Sequence, residues 1–178
     1  MKITFCGLPG TGKGTLGKIL ASKHGLEFLS AGDIFRSWAK EEGVTLSEFE
    51  KKAVTDSQFD QKLDGRVGEY GKNNDNFIFD GRLAWHFIPD SIKIKLSCDL
   101  EPRIRRVADR DGTTYDEALQ KSLEREQIIK DNYKGLYGIE DYIHDEHFDL
   151  IIDTTHLTVE QEIEEIEKYL LSLGLLPL

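Results

Sequence analysis

The sequence predicts an α/β fold of parallel strands joined by helical crossovers. Short apolar runs at residues 2–6, 26–29, 76–80, 91–97 and 148–153 alternate with segments of helical periodicity. A glycine-rich loop separates the first run from the first helical segment. The 178 residues suit one compact domain with a sizeable core and at most a small insertion.

The first strand, Ile3-Thr4-Phe5-Cys6, leads directly into the loop. Glycines in this setting let successive backbone N–H groups curl around a phosphate, and the helix N-terminus that follows adds partial positive charge. Gly7, Leu8, Pro9, Gly10, Thr11, Gly12, Lys13, Gly14 and Thr15 are therefore the candidate nucleotide-phosphate contacts. Lys13 reaches β/γ-phosphate oxygens as a mobile point charge. Leu16, Ile19 and Leu20, at i, i+3 and i+4, give the helix a side that packs on a sheet. The strict motif has Ser or Thr directly after the lysine to bind magnesium. Here Gly14 intervenes, and Thr15 becomes the candidate Mg2+ ligand.

Residues 30–75 read as a polar, helix-rich, mobile insertion without a core of its own. Ser30-Ala31-Gly32-Asp33 is a cap at its start, and Gly65, Gly68 and Gly71 come later. Phe77-Ile78-Phe79-Asp80 is an apolar strand ending in a carboxylate, which places an acid beside the loop to orient magnesium or its water ligands. The competing role for Asp80 is to cap the turn at Gly81. Arg82 follows that turn, and a guanidinium fork at the carboxyl edge of an open sheet suits a substrate phosphate.

A second flexible zone spans residues 99–115. Arg103, Arg106 and Arg110 share one helix face, with Arg105 pointing elsewhere, and such a face can close over phosphates and stabilise charge on a transferring group. A solvated face partnered by Glu101 and Asp109 is the alternative. Thr113 and Asp116 mark the next helix start, with helical composition to about Tyr133. Thr158 and Gln161 are spaced for a capping box, with Val159, Ile163, Ile166 and Leu170 on one face of the last helix. Cys6 and Cys98 have neither metal nor disulfide spacing and read as reduced, buried thiols. In His144-Asp145-Glu146-His147 no further ligand is placed by sequence, so no metal is expected there.

With 23 basic and 33 acidic residues the formal charge is −10, which opposes nucleic acid or an anionic membrane as the primary partner and requires a local basic site for any anionic substrate. No apolar stretch is long enough to span a bilayer and no signal-peptide pattern precedes the first strand, so a cytoplasmic protein is expected.

The loop, Ser30-Ala31-Gly32-Asp33-Ile34-Phe35-Arg36, Asp80-Gly81-Arg82-Leu83-Ala84-Trp85, the arginine zone and Asn132-Tyr133-Lys134-Gly135-Leu136-Tyr137-Gly138-Ile139 together resemble nucleoside monophosphate kinases, and most closely the short cytidylate kinases of archaeal type. The resemblance runs nearly end to end. It implies a three-layer P-loop NTPase fold with a five-stranded parallel sheet flanked by helices: core at 1–29, 76–99 and 116–178, a monophosphate-binding insertion at about 30–75 and a lid at about 100–115. It further implies a monomer that transfers the γ-phosphoryl group of ATP to CMP or dCMP with Mg2+. By motif match, Lys13, Arg106 and Arg110 stabilise the transferring group. Arg36 and Arg82 hold the acceptor phosphate, with Ser30, Asp33 and Gly81 beside it, and Arg125 points toward the phosphates or base. Asn132 stands where relatives carry a basic residue, so that one phosphate or base contact is either absent or replaced by Lys130 or Lys134.

Cytosine offers an exocyclic amine that a carboxylate such as Asp60 or Asp64 accepts, unless both are solvated helix residues. An acceptor such as AMP or UMP is the neighbouring reading, which acceptor specificity separates. An ATP-binding regulatory protein without transfer is the reading from another class, and Arg36 and Arg82 argue against it.

Overall fold

The computed structural model describes residues 1–45, 48, 49, 52 and 58–176. In chain order the elements are β1 (Lys2–Cys6), α1 (Lys13–His24), β2 (Glu27–Ser30), α2 (Ala31–Glu41), α3 (Phe59–Asn73), β3 (Phe77–Asp80), α4 (Ala84–Phe87), β4 (Ile92–Ser97), α5 (Leu100–Asp111), α6 (Tyr115–Tyr137), β5 (Leu150–Asp153) and α7 (Val159–Ser172). The strands form one sheet in the order β2-β3-β1-β4-β5, with every neighbouring pair parallel. Asp80 stands in register with Phe5 on one side and Ser30 on the other. The carboxyl ends of β1, β2 and β3 therefore finish level at one edge of the sheet, where open α/β sheets take their ligands.

Strand alternation divides the core into two faces. Ile3, Phe5, Ile78, Ile94, Leu96 and Ile152 pack against Leu16 and Leu20 of α1 and against Ile163, Ile166 and Leu170 of α7. Phe77 and Phe79 point the other way, to Val67 of α3, Ala84 of α4 and Ile88, while Cys6 meets Leu83, Trp85 and Tyr142. The result is the three-layer architecture expected.

Several local expectations shift by a residue or a turn, each for a visible reason. Ile19 is exposed, and the buried side of α1 is Leu16, Gly17, Leu20 and Ala21. Gly17 lies against the Phe28 ring, where a Cβ would collide. β2 begins at Glu27 because Leu26 N–H is spent on the Ala21 carbonyl at the end of α1. β5 begins at Leu150, after the short turn Asp145–His147. The cap of α6 is Thr114 with Glu117, one residue later than Thr113 with Asp116. Thr113 N–H is committed to the Ala108 carbonyl, closing α5 behind Gly112. α6 also continues to Tyr137, a turn beyond Tyr133. The capping boxes at Ser30–Asp33 and Thr158–Gln161 form as expected.

The described residues within 30–75 do form a core of their own, contrary to the sequence reading. Phe35, Trp38, Phe49 and Phe59 cluster, with ring centroids such as Phe35–Phe49 at 5.0 Å and Phe49–Phe59 at 5.5 Å. Their spacing follows neither a single helical stripe nor a strand alternation, which is why periodicity did not find them. Gly68 and Gly71 are buried, and a Cβ on Gly71 would press on Ile88. These glycines bring α3 close to the segment after β3.

Candidate active site

A cleft of about 450 Å³ opens at the carboxyl ends of β1, β2 and β3. Gly7, Pro9 and Lys13 of the phosphate loop line one side of it. The loop is folded so that only glycine serves at two points. Gly10 has φ 88° and a Cβ there would run into the Arg103 backbone carbonyl and Cγ, while a Cβ on Gly7 would meet the Leu96 carbonyl. α1 then starts at Lys13 with no capping side chain and no acidic residue in its first turn. Its leading N–H groups and the positive end of its dipole are left for an anion. Lys13 Nζ donates to the carbonyls of Gly7 at 2.7 Å and Leu8 at 3.0 Å, holding the ammonium inside the loop.

Asp80, Gly81 and Arg82 line the cleft from the turn after β3. Burial lowers the Lys13 pKa, with the Asp80 carboxylate opposing. Burial also pushes the Asp80 carboxyl up, against Lys13 and Arg82. The two charges thus compensate one another in a poorly solvated site. Cys6, whose thiol burial pushes up to about 12, donates to the Arg82 carbonyl at 3.2 Å and fixes the turn. It is a structural thiol.

Arg82, Arg110 and Arg125 line the same cleft. The Arg125 pKa is lowered first by the neighbouring Arg82 guanidinium, then by burial and by Arg110. Three like charges are thus held together around the volume that faces Lys13, an arrangement that a phosphate group relieves. Arg110 also makes a bidentate contact to Asp111, at 2.7 and 3.0 Å.

The other residues expected at the site take different places. Arg103 is buried and pairs with Glu126 at 2.6 Å while donating to the Pro9 carbonyl at 3.3 Å. Arg106 reaches the back of the loop, donating to the Thr154 carbonyl at 3.0 Å and the Gly10 carbonyl at 3.4 Å. It is not among the cleft-lining residues. Thr154, fully buried, donates to the Thr11 and Ser97 carbonyls and buttresses the loop. Glu101 pairs with Arg105 rather than with that face; of the three arginines on it, Arg103 is buried while Arg106 and Arg110 are exposed.

Ser30 lines the cleft and bonds Asp33, whose other oxygen accepts from Arg36 at 2.6 Å. Burial raises the Asp33 pKa, and the bonds from Ser30 and Arg36 outweigh it to leave the carboxyl below its ordinary value. Arg36 and Thr15 are exposed or partly so and lie outside the cleft lining. The His144–His147 segment is structural: His147 stacks on Trp85 at 4.1 Å and Asp145 pairs with Lys95. Among the described residues no group of three metal-capable side chains forms.

Of the wall made by α6, sequence reasoning singled out Arg125 and Asn132 and missed the rest. Ile129, Asn132 and Tyr133 line the cleft beside Arg125, at i+4, i+7 and i+8 from it, so helical periodicity carried on from Arg125 finds them. It also missed Tyr137, whose hydroxyl donates to Asp64 Oδ2 at 2.8 Å. Asp60 and Asp64 both line the cleft. Burial pushes the Asp64 carboxyl up to about 6, against the Tyr137 bond and Arg82.

Phosphate loop, basic cleft and strand order define a P-loop phosphotransferase fold. A family model described as an AAA domain matches residues 3–130. Among solved structures, an uncharacterized protein from Eubacterium ventriosum aligns at a TM-score of 0.72 with 17% identity, covering 95% of this chain and 97% of that one. Shikimate kinase from Acinetobacter baumannii, in complex with shikimate, aligns at 0.65 with 19% identity, covering 98% and 95%. These two share the fold. A cytidylate kinase from Methanocaldococcus jannaschii is 41% identical, over 90% of this chain and 92% of its own length. Another from Methanococcoides burtonii is 40% identical, over 87% and 88%. The chain belongs to the cytidylate kinase family.

Proposed function

We propose that this chain is a cytidylate kinase, transferring the γ-phosphoryl group of ATP to CMP or dCMP. The observation that carries the reading is the meeting of Lys13 with Arg82, Arg110 and Arg125 around one cleft that also has an apolar and carboxylate-bearing wall. Phosphoryl transfer needs alignment and charge stabilisation more than covalent chemistry. Backbone N–H groups of the loop and Lys13 hold the donor phosphates. Arg82, Arg125 and the Ser30 end of α2 hold the acceptor phosphate, and Arg110 neutralises charge spread over the transferring group. Arg106 supports this from behind the loop by fixing the Gly10 carbonyl. The insertion at about 30–75 and the lid at about 100–115 close over the two nucleotides, excluding water, and the chain acts as a monomer. Among the described residues no helix is long and apolar enough to cross a membrane.

Magnesium fits the donor set: a buried carboxylate, Asp80, stands across from the loop lysine, and this ion commonly takes one or two protein oxygens with the rest from water and phosphates. Asp80 would hold it directly or through water; Thr15, the loop hydroxyl expected from the sequence, is exposed and lies outside the cleft lining. Bound there, the ion would neutralise charge on the nucleotide phosphates.

ADP release with ATP and Mg2+, measured with CMP, dCMP, UMP, AMP or GMP and without an acceptor, tests the reading. Selective turnover of CMP and dCMP is expected. AMP preference, or release independent of acceptor, overturns it. Arg82→Ala is expected to lose on the order of a hundredfold or more in kcat/KM for CMP, and unchanged turnover would remove Arg82 from the acceptor site.

A further inference from the structure

Asp64 and Tyr137 come to the cleft from different walls. Asp64 is on α3, Tyr137 is on α6, and the hydroxyl of one bonds Oδ2 of the other at 2.8 Å. The bond fixes the plane of the carboxylate from outside its own helix. Asp60, one turn earlier on α3, also lines the cleft but is exposed. Asp64 is the better shielded of the two. Around it the cleft is lined by Leu63 and Val67 of α3, Phe35 of α2 and Tyr133 of α6, flat or apolar surfaces suited to the faces of a planar ring. Arg82 acts electrostatically on both Asp64 and Arg125. The carboxylate and the phosphate-binding guanidinium groups therefore belong to one continuous site.

We propose that Asp64, oriented by Tyr137, reads the exocyclic amine of the acceptor base and so selects cytosine over uracil. The inference deepens the cytidylate kinase reading and rests on it. An ionised carboxylate is acceptor-only, and one oxygen is already engaged by Tyr137. The remaining acceptor capacity pairs with an amine donor. Cytosine presents N4–H2 there, whereas uracil presents the oxygen O4, leaving two acceptors face to face in a partly dehydrated site with neither satisfied. A site built around a hydrogen bond rejects the analogue that cannot make it far more strongly than an apolar pocket rejects a missing methylene. Adenine also carries an exocyclic amine, so Asp64 separates amino from oxo pyrimidines, and exclusion of AMP falls to the shape of the cleft. Asp64 touches the base in this assignment; Tyr137 is a positioning residue acting through it.

The test is kcat/KM for CMP and for UMP at saturating ATP and Mg2+, in the parent, Asp64→Asn and Tyr137→Phe. With the Tyr137 hydroxyl donating to the Asn oxygen, the amide nitrogen faces the base, which opposes cytosine and accommodates uracil. Asp64→Asn is expected to lose roughly 10- to 100-fold for CMP while its UMP/CMP ratio rises by at least that factor. Tyr137→Phe is expected to raise the ratio by a smaller factor. Equal losses for both substrates, or an unchanged ratio in Asp64→Asn, overturn the assignment while leaving a CMP-selective parent a cytidylate kinase. A parent that prefers AMP overturns the functional reading, and the assignment of Asp64 falls with it. Should Asp64→Asn not fold, Tyr137→Phe decides, and an unmoved ratio there overturns the proposal.

Discussion

Asp64 costs the ligand-free protein stability, and its sign can be worked out. Burial pushes the carboxyl from 3.8 to about 6, so between these values the native chain holds a proton that the unfolded chain has released. Stability then falls as pH rises through that window and stays lower above it, by up to about 3 kcal/mol for a shift of this size. Asp64→Asn keeps the Tyr137 bond and removes the penalty. It is expected to unfold at higher denaturant than the parent at pH 7.5, with the difference gone at pH 3.5; urea titrations at the two values check this, and a variant less stable at pH 7.5 would contradict it. Arg103 presents the opposite case. Its guanidinium is buried against Glu126 and the Pro9 carbonyl, so Arg103→Ala leaves a shielded carboxylate without its partner. A loss of about 3 kcal/mol is expected in the same titration. Arg110→Ala, whose side chain is largely exposed, should lose turnover with little change in stability. The contrast separates two arginines that share one helix face by spacing.

At the scale of elements, α6 does the most for the site, because a single helix supplies Arg125, Ile129 and Tyr133 to the cleft and Tyr137 to Asp64. Its start is fixed by Thr114 Oγ1 accepting from Glu117 N–H and the Glu117 carboxylate accepting from Thr114 N–H. Thr114→Ala should cost about 1 kcal/mol, read as a lower melting temperature with CMP selectivity intact. Elements of this kind were largely legible in the sequence. Strand alternation, the order of glycines before Lys13 and the boxes at Ser30–Asp33 and Thr158–Gln161 are signals contained within a few residues. The sheet, the phosphate loop, Asp80 and Arg82 follow from them. What was not legible depends on contacts between distant segments. Tyr137 and Asp64 lie 73 positions apart, and Arg103 meets Glu126 across 23. Spacing placed Arg103, Arg106 and Arg110 on one face, but their neighbours give them three environments. Thr113 and Thr114 each stand three residues before an acid, and only the closure of the preceding helix at Ala108 decides between them.

The whole molecule carries a formal charge of −10 and yet gathers Lys13, Arg82, Arg110 and Arg125 around one cleft. Arg125 feels that gathering directly: its pKa is lowered first by Arg82, then by burial and by Arg110. The cleft offers a concentrated field to a small phosphate compound. Inorganic phosphate should therefore bind the native state and not the unfolded chain, stabilising by RT ln(1 + [L]/Kd). At roughly 20 times its Kd this amounts to about 1.8 kcal/mol, or a rise of about 4–7 °C for a chain of this length. Sodium chloride at matched ionic strength controls for screening, which relieves the same repulsion without occupying the site. Arg82→Ala should gain much less from phosphate than the parent does in low-salt buffer. A phosphate increment in Arg82→Ala equal to that of the parent would place the anion elsewhere. An equal effect of chloride in the parent would reduce the cleft to a region of general repulsion rather than a phosphate site.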